Sequence, residues 1–272
     1  MRAPSWIEAP LGRYYLYFAH HDGDRIRLAT ADALLGPWHP HEPGVLSVED
    51  STCFGHVASP DVHVDESRGE VRLYFHGPTK GVRPEEEGLA ALFEITTIQR
   101  SKLARSQDGL HFEAHREILG APYFRVFQHG GFHHALAMPG ILYRSRDGLG
   151  PFEKGPILFG RDMRHTAVCV RGDLLHVFYT NAGDCPESIL HATVDLAGDW
   201  YRWRASEPRV VLAPEREWEG GDRPLVPSER GQATGPVRQL RDPALFEQDG
   251  AVYLVYAVAG EQGLALARVH GL

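Results

Sequence analysis

The 272-residue sequence predicts an all-β protein, a five-bladed β-propeller with four-stranded antiparallel blades and an incomplete last blade. Three strand-like themes recur in the same order along the chain, and helix signals are weak throughout. Four-stranded units repeated around an axis are propeller blades. A β-sandwich whose hairpins resemble each other by chance is the alternative, and the fixed order of the themes disfavours it. Residues 1–272 are therefore expected to form a single domain.

The central theme is a strand that follows a glycine turn. Its copies are GRYYLYFAHHDG from Gly12, GEVRLYFHG from Gly69, GDLLHVFYTNAGD from Gly172 and GAVYLVYAVAGEQG from Gly250. Runs of β-branched and aromatic residues bounded by turn residues predict strands. A second theme follows these hairpins, with a strand, a turn on Asp or Gly, and a Phe or Trp that opens another strand. Its last copy, LALARVHGL, is cut short at Leu272, so the fifth blade is expected to lack an outer strand.

A third theme precedes the hairpins and predicts the innermost strand of each blade. Its copies are APSWIEA from Ala3, SPDVHVD from Ser59, FRVFQHGG from Phe124, RHTAVCV from Arg164 and RDPALFEQ from Arg241. In a blade, the first strand starts at the face where the second strand ends. Ionisable residues at these positions are therefore expected to meet in one central funnel. The longest loops open on the same face, where loops usually carry function.

Composition limits the classes of partner. A formal net charge of −8 argues against nucleic acid, whose phosphates need a basic patch. No run of about 18 apolar residues predicts a membrane-spanning helix, and the first residues, MRAPSWIEAPLG, have no apolar signal core. Three scattered cysteines fit neither a disulfide framework nor a zinc site. The sequence therefore predicts a cytoplasmic protein with a small-molecule partner, and it predicts no particular oligomeric state.

Four residues are candidates for catalysis because each falls at a funnel position. An aspartate on an inner strand is costly to bury, so Asp61 and Asp242 are interpreted as functional carboxylates. The alternatives are a turn cap for Asp61 and an ion pair with Arg241 for Asp242. His165 opens an inner strand and could be a general acid, a metal ligand or a core group. Glu187 could be an acid that reaches the funnel, or a solvated loop residue.

The other funnel positions are interpreted as substrate-binding residues, namely His21, His63, His76, Arg164, Arg241, Trp218 and Glu261. Trp218 could stack on a sugar ring or anchor its loop. The 16 histidines show no metal-ligand spacing such as HExxH. No cofactor is expected to be required, and a structural or catalytic divalent cation at the propeller axis is left open.

Three stretches carry a family resemblance. GRYYLYFAHHDGDRIRLATADALLGPW, SPDVHVDESRGEVRLYFHG and RDPALFEQDGAVYLVYA resemble the five-bladed propeller glycoside hydrolases. That group includes the family 43 arabinanases and xylosidases and the family 117 neoagaro-oligosaccharide hydrolases. The resemblance extends over all five blades. It implies a funnel that cleaves a glycosidic bond of a small oligosaccharide or glycoside, exo-acting and with inversion, which needs a base and an acid far enough apart to admit water.

The resemblance has departures that keep several functions open. Asp61 matches the blade-two aspartate of family 43, but Ala3 stands where the blade-one aspartate would be. Family 117 is similar in using a histidine as the acid, and His165 matches it by position. The first hypothesis is a glycoside hydrolase with Asp61 or Asp242 as base and His165 or Glu187 as acid. The alternatives are a non-catalytic carbohydrate-binding propeller and a metal-dependent lyase or isomerase.

Overall fold

A computed structural model describes residues 1–19, 23–82 and 98–272. The protein is all-β and has the five-bladed β-propeller fold, with five antiparallel sheets that follow one another along the chain. Two compact units make up the chain, Met1–Phe124 with Leu149–Pro151, and Arg125–Gly148 with Phe152–Leu272. That residues 1–272 form a single domain stays a prediction. In the part of the chain described, no helix has the length and apolar character needed to cross a membrane.

The first unit contains the first two sheets. Their strands are β1 Tyr14–Phe18, β2 Arg25–Ala31, β3 His39–Ser47, β4 Ala58–Asp65, β5 Glu70–Pro78, β6 Gln99–Ser106 and β7 Glu113–Ala114. β1, β2 and β3 form one sheet in that order, and β4 to β7 form the next. Both predicted hairpin strands are confirmed, since β1 and β5 follow the turns at Gly12 and Gly69.

The prediction of an inner strand for the first blade, in APSWIEA, is wrong, because this segment does not form a full strand. The chain makes one bridge there, between Arg2 and Tyr14, and then turns, with the Ile7 amide donating to the Pro4 carbonyl at 3.2 Å. Proline has no amide hydrogen to give to a sheet, so Pro4 interrupts a ladder. The turn instead buries Ile7, which is 6% exposed, in the core of this unit.

The second unit contains the other three sheets. Their strands are β8 Arg125–His129, β9 Phe132–Ala137, β10 Ile141–Ser145, β11 Glu153–Ile157, β12 Met163–Arg171, β13 Leu174–Asn181, β14 Ile189–Asp195, β15 Arg209–Leu212, β16 Arg241–Gln248, β17 Ala251–Val258 and β18 Gly263–Val269. Two 3-10 helices of one turn lie in its loops, Trp200–Arg202 and Glu217–Glu219. The last sheet has three strands, which confirms the expected incomplete blade.

Alternating apolar residues build the core of each unit. In the first unit, Ile26 and Leu28 of β2 and Leu73 of β5 are completely buried, as the two-residue period of a strand predicts. In the second unit, β13 contributes Leu175 and Val177 in the same way. This burial fixes the register of the strands, because a shift by one residue would turn every apolar side chain to the other face.

Histidines are also built into the core of the second unit. His134 is 3% exposed and packs against the rings of Phe127 and Trp203, with ring centroids 5.2 Å away in both cases. His191 is 5% exposed and shares a 3.0 Å hydrogen bond with His176. Burial lowers the pKa of His134 to about 4 and that of His191 to about 4, and neighbouring basic side chains contribute to both shifts.

We expect these buried histidines to make the fold sensitive to acid. Both imidazoles are neutral above pH 6.5 in the folded and unfolded states, so no stability is lost there. Between pH 6.5 and about 4 the unfolded chain binds protons that the folded chain excludes, and each histidine then costs up to about 1.4 kcal/mol per pH unit. Thermal unfolding midpoints measured across this range should fall. His191→Gln should flatten the fall, whereas the exposed His39→Gln should not; an unchanged midpoint in wild type would contradict the interpretation.

Candidate functional site

Irregular starts of the inner strands shape the candidate site. The pairing of β12 with β13 shifts register between Arg164 and Ala167, and that of β16 with β17 shifts between Arg241 and Ala244. The residue after each arginine is left-handed, His165 at φ 52° and Asp242 at φ 46°. Such backbone is uncommon for residues other than glycine, and bulges re-aim the side chains that they carry. Two of the three predicted catalytic side chains of this unit, those of His165 and Asp242, therefore lie on bulges at strand starts.

A buried carboxylate joins these two strand starts. Glu187 has no exposed surface, and its Oε1 and Oε2 accept hydrogen bonds from Nε and Nη2 of Arg164 at 2.9 and 2.5 Å. Nε of Arg241 lies 3.2 Å from Oε2 of the same carboxylate. A charge so deeply buried is tolerated only when it is paired, and here two guanidinium groups pair it.

The rest of Arg241 holds a second carboxylate and a loop. Its Nη1 donates to Oε1 of Glu261 at 2.7 Å and to the Gly231 carbonyl at 2.9 Å, and its Nη2 donates to Oε1 of Gln239 at 2.5 Å. Nη1 of Arg164 also reaches the Gly231 carbonyl, at 3.4 Å. Arg164, Glu187, Arg241 and Glu261 are called the ion cluster below. The cluster ties the long loop 213–240 to the starts of β12 and β16.

His165 lies on the ion cluster and faces Asp242. Its Nδ1 is 3.3 Å from Oγ1 of Thr180 and 4.0 Å from Oε1 of Glu187, and its Nε2 is 3.7 Å from Oδ1 of Asp242. Burial lowers the pKa of His165 to about 4, against the opposing effect of the Asp242 charge. The imidazole is therefore neutral near pH 7. It can exchange hydrogen bonds with a bound molecule, but it does not hold a spare proton there.

Asp242 is the member of this group that solvent reaches. Its side chain is 36% exposed, whereas that of His165 is 10% exposed and that of Glu187 is fully buried. The arrangement thus has three layers: a buried ion cluster, a neutral imidazole on it, and a carboxylate at the surface. A carboxylate held in this way can act as a base or accept hydrogen bonds from hydroxyl groups.

Three predicted residues have a different place from the one expected. Glu187 was expected to reach a substrate as a catalytic acid, but it is completely buried and paired with two arginines. Arg164 and Arg241 were predicted to bind substrate; both are 2% exposed, and their guanidinium groups pair with Glu187, that of Arg241 also with Glu261. These residues are arranged to hold the site together. Glu261, also predicted to bind substrate, belongs to the same cluster.

Trp218 lies on the long loop, where it is 57% exposed. Its neighbour Glu219 is buried and anchors the loop by accepting the amides of Glu215 and Arg216 at 3.0 and 2.9 Å, and the hydroxyl of Tyr256 at 3.1 Å. The indole is therefore not the anchor, which leaves it available at the surface. His21, another predicted binding residue, lies outside the described residues.

Of the predicted site residues that the structure describes in the first unit, two lie together. Nε2 of His63 is 2.9 Å from Oδ2 of Asp61, and the His63 ring meets the edge of Tyr74 at a centroid distance of 5.7 Å. The Asp61 side chain is 18% exposed and that of His63 is 37% exposed. His76 is more deeply placed, 6% exposed, beside the ring of Tyr123. Asp61 and His63 are thus a polar pair that solvent can reach.

Sequence reasoning missed the loop groups that complete the ion cluster. The Gly231 carbonyl and the Gln239 side chain bind Arg241, and Ser228 binds the end of β13 by accepting the Gly183 amide at its Oγ, 3.0 Å away. Every residue has a backbone carbonyl, so the sequence does not show which carbonyl binds an arginine. A loop also lacks the periodicity that would show which of its side chains point inward. Asp184, the last residue of the segment GDLLHVFYTNAGD, was not among the candidate site residues.

The described residues contain no group of three or more His, Cys, Asp or Glu side chains that could hold a metal ion. His176 and His191 bond to each other, and His63 and His111 each lie beside one aspartate. The expectation of a divalent cation at the axis therefore has no set of ligands to support it in this part of the chain.

Comparison with known sequences finds one strong relative. The chain is 33% identical to Uncharacterized protein R118 of Acanthamoeba polyphaga mimivirus over 305 aligned residues, which cover 99% of this chain and 82% of that protein. No protein-family model matches the sequence.

Comparison with solved structures confirms the predicted resemblance in fold. A family 43 β-xylosidase/α-arabinofuranosidase from a compost metagenome, in complex with xylotriose, matches with a TM-score of 0.61 at 15% identity, over 93% of this chain and 82% of that one. A glycosyl hydrolase from Bacteroides ovatus matches with a TM-score of 0.64 at 11% identity, over 93% and 82%. The α-L-arabinanase of Cellvibrio cellulosa, complexed with arabinohexaose, gives 0.53 at 11% identity, over 94% and 93%.

We expect Glu187→Gln to destabilise the second unit strongly. The amide keeps the shape of the carboxylate but leaves the buried Arg164 without its counter-charge and Arg241 with Glu261 as its remaining carboxylate, and breaking a buried ion pair costs about 3–5 kcal/mol. Denaturant unfolding followed by circular dichroism measures the change. The exposed Glu217→Gln is the matched control and should stay within about 0.5 kcal/mol of wild type. Equal midpoints for the two variants would show that the ion cluster does not hold the unit together.

Proposed function

The chain belongs to the family of the mimivirus protein R118, and we propose that it is a glycoside hydrolase acting on a small oligosaccharide or glycoside. One observation carries the proposal: the exposed carboxylate of Asp242 stands 3.7 Å from the neutral imidazole of His165, on the buried ion cluster. The fold supports it, since solved propellers of this architecture bind oligosaccharides such as xylotriose and arabinohexaose. Exo-action and inversion are part of the proposal.

In this mechanism Asp242 is the base. Its carboxylate takes a proton from a water molecule as the water attacks the anomeric carbon, which is the step that inversion requires. His165 is neutral because burial lowers its pKa to about 4. It can therefore form a hydrogen bond with the water or with a sugar hydroxyl, while the proton of the water goes to Asp242. Glu187 does not touch substrate in this scheme; it positions Arg164 and Arg241 beneath the two reacting side chains.

The first unit, considered by itself, has a polar pair that can bind a sugar. Asp61 and His63 are bonded to each other and partly exposed, so they can exchange hydrogen bonds with sugar hydroxyls. We assign them to binding, because a carboxylate already bonded to an imidazole is well suited to hold a hydroxyl group. Trp218, exposed on its loop, is the proposed stacking platform for a sugar ring.

A non-catalytic carbohydrate-binding propeller is the second candidate. Ala3 stands where family 43 enzymes carry their first aspartate, and Glu187 is buried in the ion cluster. In each case, a carboxylate that the resemblance assigned to the reaction is either absent or out of reach of a substrate. Under this candidate, sugars would raise the unfolding temperature of the wild-type protein by mass action without being consumed.

Asp242→Asn should abolish most of the hydrolysis. Asparagine has nearly the same shape and tolerates the left-handed backbone at this position, so the fold should stay intact while the base is lost. We expect kcat on oligosaccharides and aryl glycosides to fall at least about 100-fold. Asp249→Asn, in the left-handed turn at the other end of β16, is the matched control and should keep wild-type activity. Unimpaired hydrolysis by Asp242→Asn would remove Asp242 from the mechanism.

Asp61→Asn should act on binding more than on the chemical step. The change removes a charged acceptor, and a charged hydrogen bond is worth about 1.5–3 kcal/mol. We therefore expect KM to rise about 10-fold or more, with kcat changed less, in steady-state assays of the best substrate. A fall in kcat as large as that of Asp242→Asn, at unchanged KM, would instead make Asp61 a reacting group.

A further inference from the structure

The proposed hydrolysis lacks an acid if only the predicted residues are used. The leaving oxygen needs a proton from a group that a substrate can reach and whose surroundings favour the protonated form. Burial lowers the pKa of His165 to about 4, so its surroundings disfavour the protonated form, and Glu187 has no exposed surface through which it could reach a substrate. The acid must therefore be a group that the sequence interpretation did not assign.

We propose that Asp184, in the loop between β13 and β14, is the catalytic acid that gives its proton to the leaving glycosidic oxygen. This inference rests on the proposed function. The loop leaves β13 at Asn181, next to Thr180, whose hydroxyl contacts His165 at 3.3 Å. Asp184 thus lies at the same end of this blade as the bulge that carries His165.

The backbone around Asp184 is held independently of its side chain. Its carbonyl accepts the Ser228 amide at 3.0 Å, and the Gly183 amide donates to both the carbonyl and the hydroxyl of Ser228 at 3.0 Å. The side chain is half-buried, so it has a surface that a substrate can contact. The loop 213–240 therefore holds the backbone that carries this carboxyl group, and the side chain stays partly accessible.

The surroundings of Asp184 favour its protonated form. Burial raises its pKa, the charges of Glu187 and Asp162 raise it further, and a hydrogen bond from Asn181 opposes the rise. The cations on the neighbouring elements face those other carboxylates: Arg164 bonds to Glu187, and Arg161 and Arg230 lie 3.9 and 3.6 Å from Asp162. Asp184 thus lies under the influence of two other carboxylates, whereas Glu187 is paired with two arginines.

The step balances with water as the co-reactant. The proton of the Asp184 carboxyl moves to the glycosidic oxygen while the bond from the anomeric carbon to that oxygen breaks, and the bonding electron pair leaves with the oxygen. Water bonds to the anomeric carbon from the opposite face and passes one proton to Asp242. Asp184 ends as a carboxylate and Asp242 as an acid, and one proton exchanged through solvent restores both. Two carboxyl groups with different environments thus take the two roles.

Substrates with different leaving groups test this assignment. Asp184→Asn should lower kcat/KM at least about 100-fold on an alkyl glycoside or a disaccharide, whose leaving oxygen needs a proton. On the 2,4-dinitrophenyl glycoside of the same sugar, whose leaving group departs as an anion, it should stay within about 10-fold of wild type. Asp242→Asn should lower both. Asp173→Asn, in the turn at the other end of the β12–β13 hairpin, is the matched control and should lower neither.

A pH profile adds a measurement that a merely structural role would not change. In wild type, kcat/KM on the disaccharide should fall as pH rises through the raised pKa of Asp184, because the acid is then ionised. Asp184→Asn should lose this basic limb. Asp184→Glu keeps a carboxylic acid and should retain part of the disaccharide activity, which provides a second readout if the asparagine variant does not fold.

The outcomes separate the two proposals. If Asp184→Asn cleaves the disaccharide as fast as wild type, or keeps the basic limb, Asp184 is not the acid, although the hydrolase proposal stands. If the wild-type protein cleaves neither the disaccharide nor the dinitrophenyl glycoside, and sugars only raise its unfolding temperature, the hydrolase proposal fails and the assignment of Asp184 fails with it.

Discussion

The pairing of Glu187 with Arg164 and Arg241 is the interaction on which the architecture of this site depends. The two arginines begin β12 and β16, the inner strands of neighbouring blades in the second unit, and the glutamate lies in the loop that leaves β13. Three elements far apart in sequence therefore converge on one buried carboxylate. Because a buried charge without its partner is costly, the ion cluster penalises any other arrangement of these strand starts.

The position of each arginine also determines that of the residue after it. His165 and Asp242 follow their arginines directly and adopt left-handed backbone, which an isolated strand would not favour. Strained backbone of this kind persists when surrounding contacts over-determine it, and the arginine contacts supply that constraint here. In the first unit β4 has the same register shift, with Ser59 at φ 53°, so the bulge recurs even where no arginine precedes it. The bulge is therefore a recurrent feature of the inner strands. In β12 and β16 the ion cluster also holds the arginine that precedes the left-handed residue.

The strands could be predicted from sequence because their signal is local. β5, β13 and β17 follow glycine turns and consist of alternating or continuous apolar residues, so composition and spacing were sufficient. The first inner strand failed because Pro4 and the burial of Ile7 favoured a turn over a ladder. The chemistry was harder to predict, since the sequence placed Glu187 at the right end of its blade but could not show that two arginines would enclose it. Whether a carboxylate is a ligand, an acid or a counter-ion depends on neighbours that come from other blades.

In the proposed mechanism, the surroundings of each carboxyl group determine its role. Glu187, Asp242 and Asp184 have the same chemistry in a free peptide, with pKa values within about half a unit of one another. Two arginines enclose the buried Glu187, the side chain of Asp242 is 36% exposed beside the imidazole of His165, and burial near other carboxylates raises the pKa of Asp184. Since a base and an acid must coexist at one pH, a site with several carboxyl groups functions only if their surroundings differ.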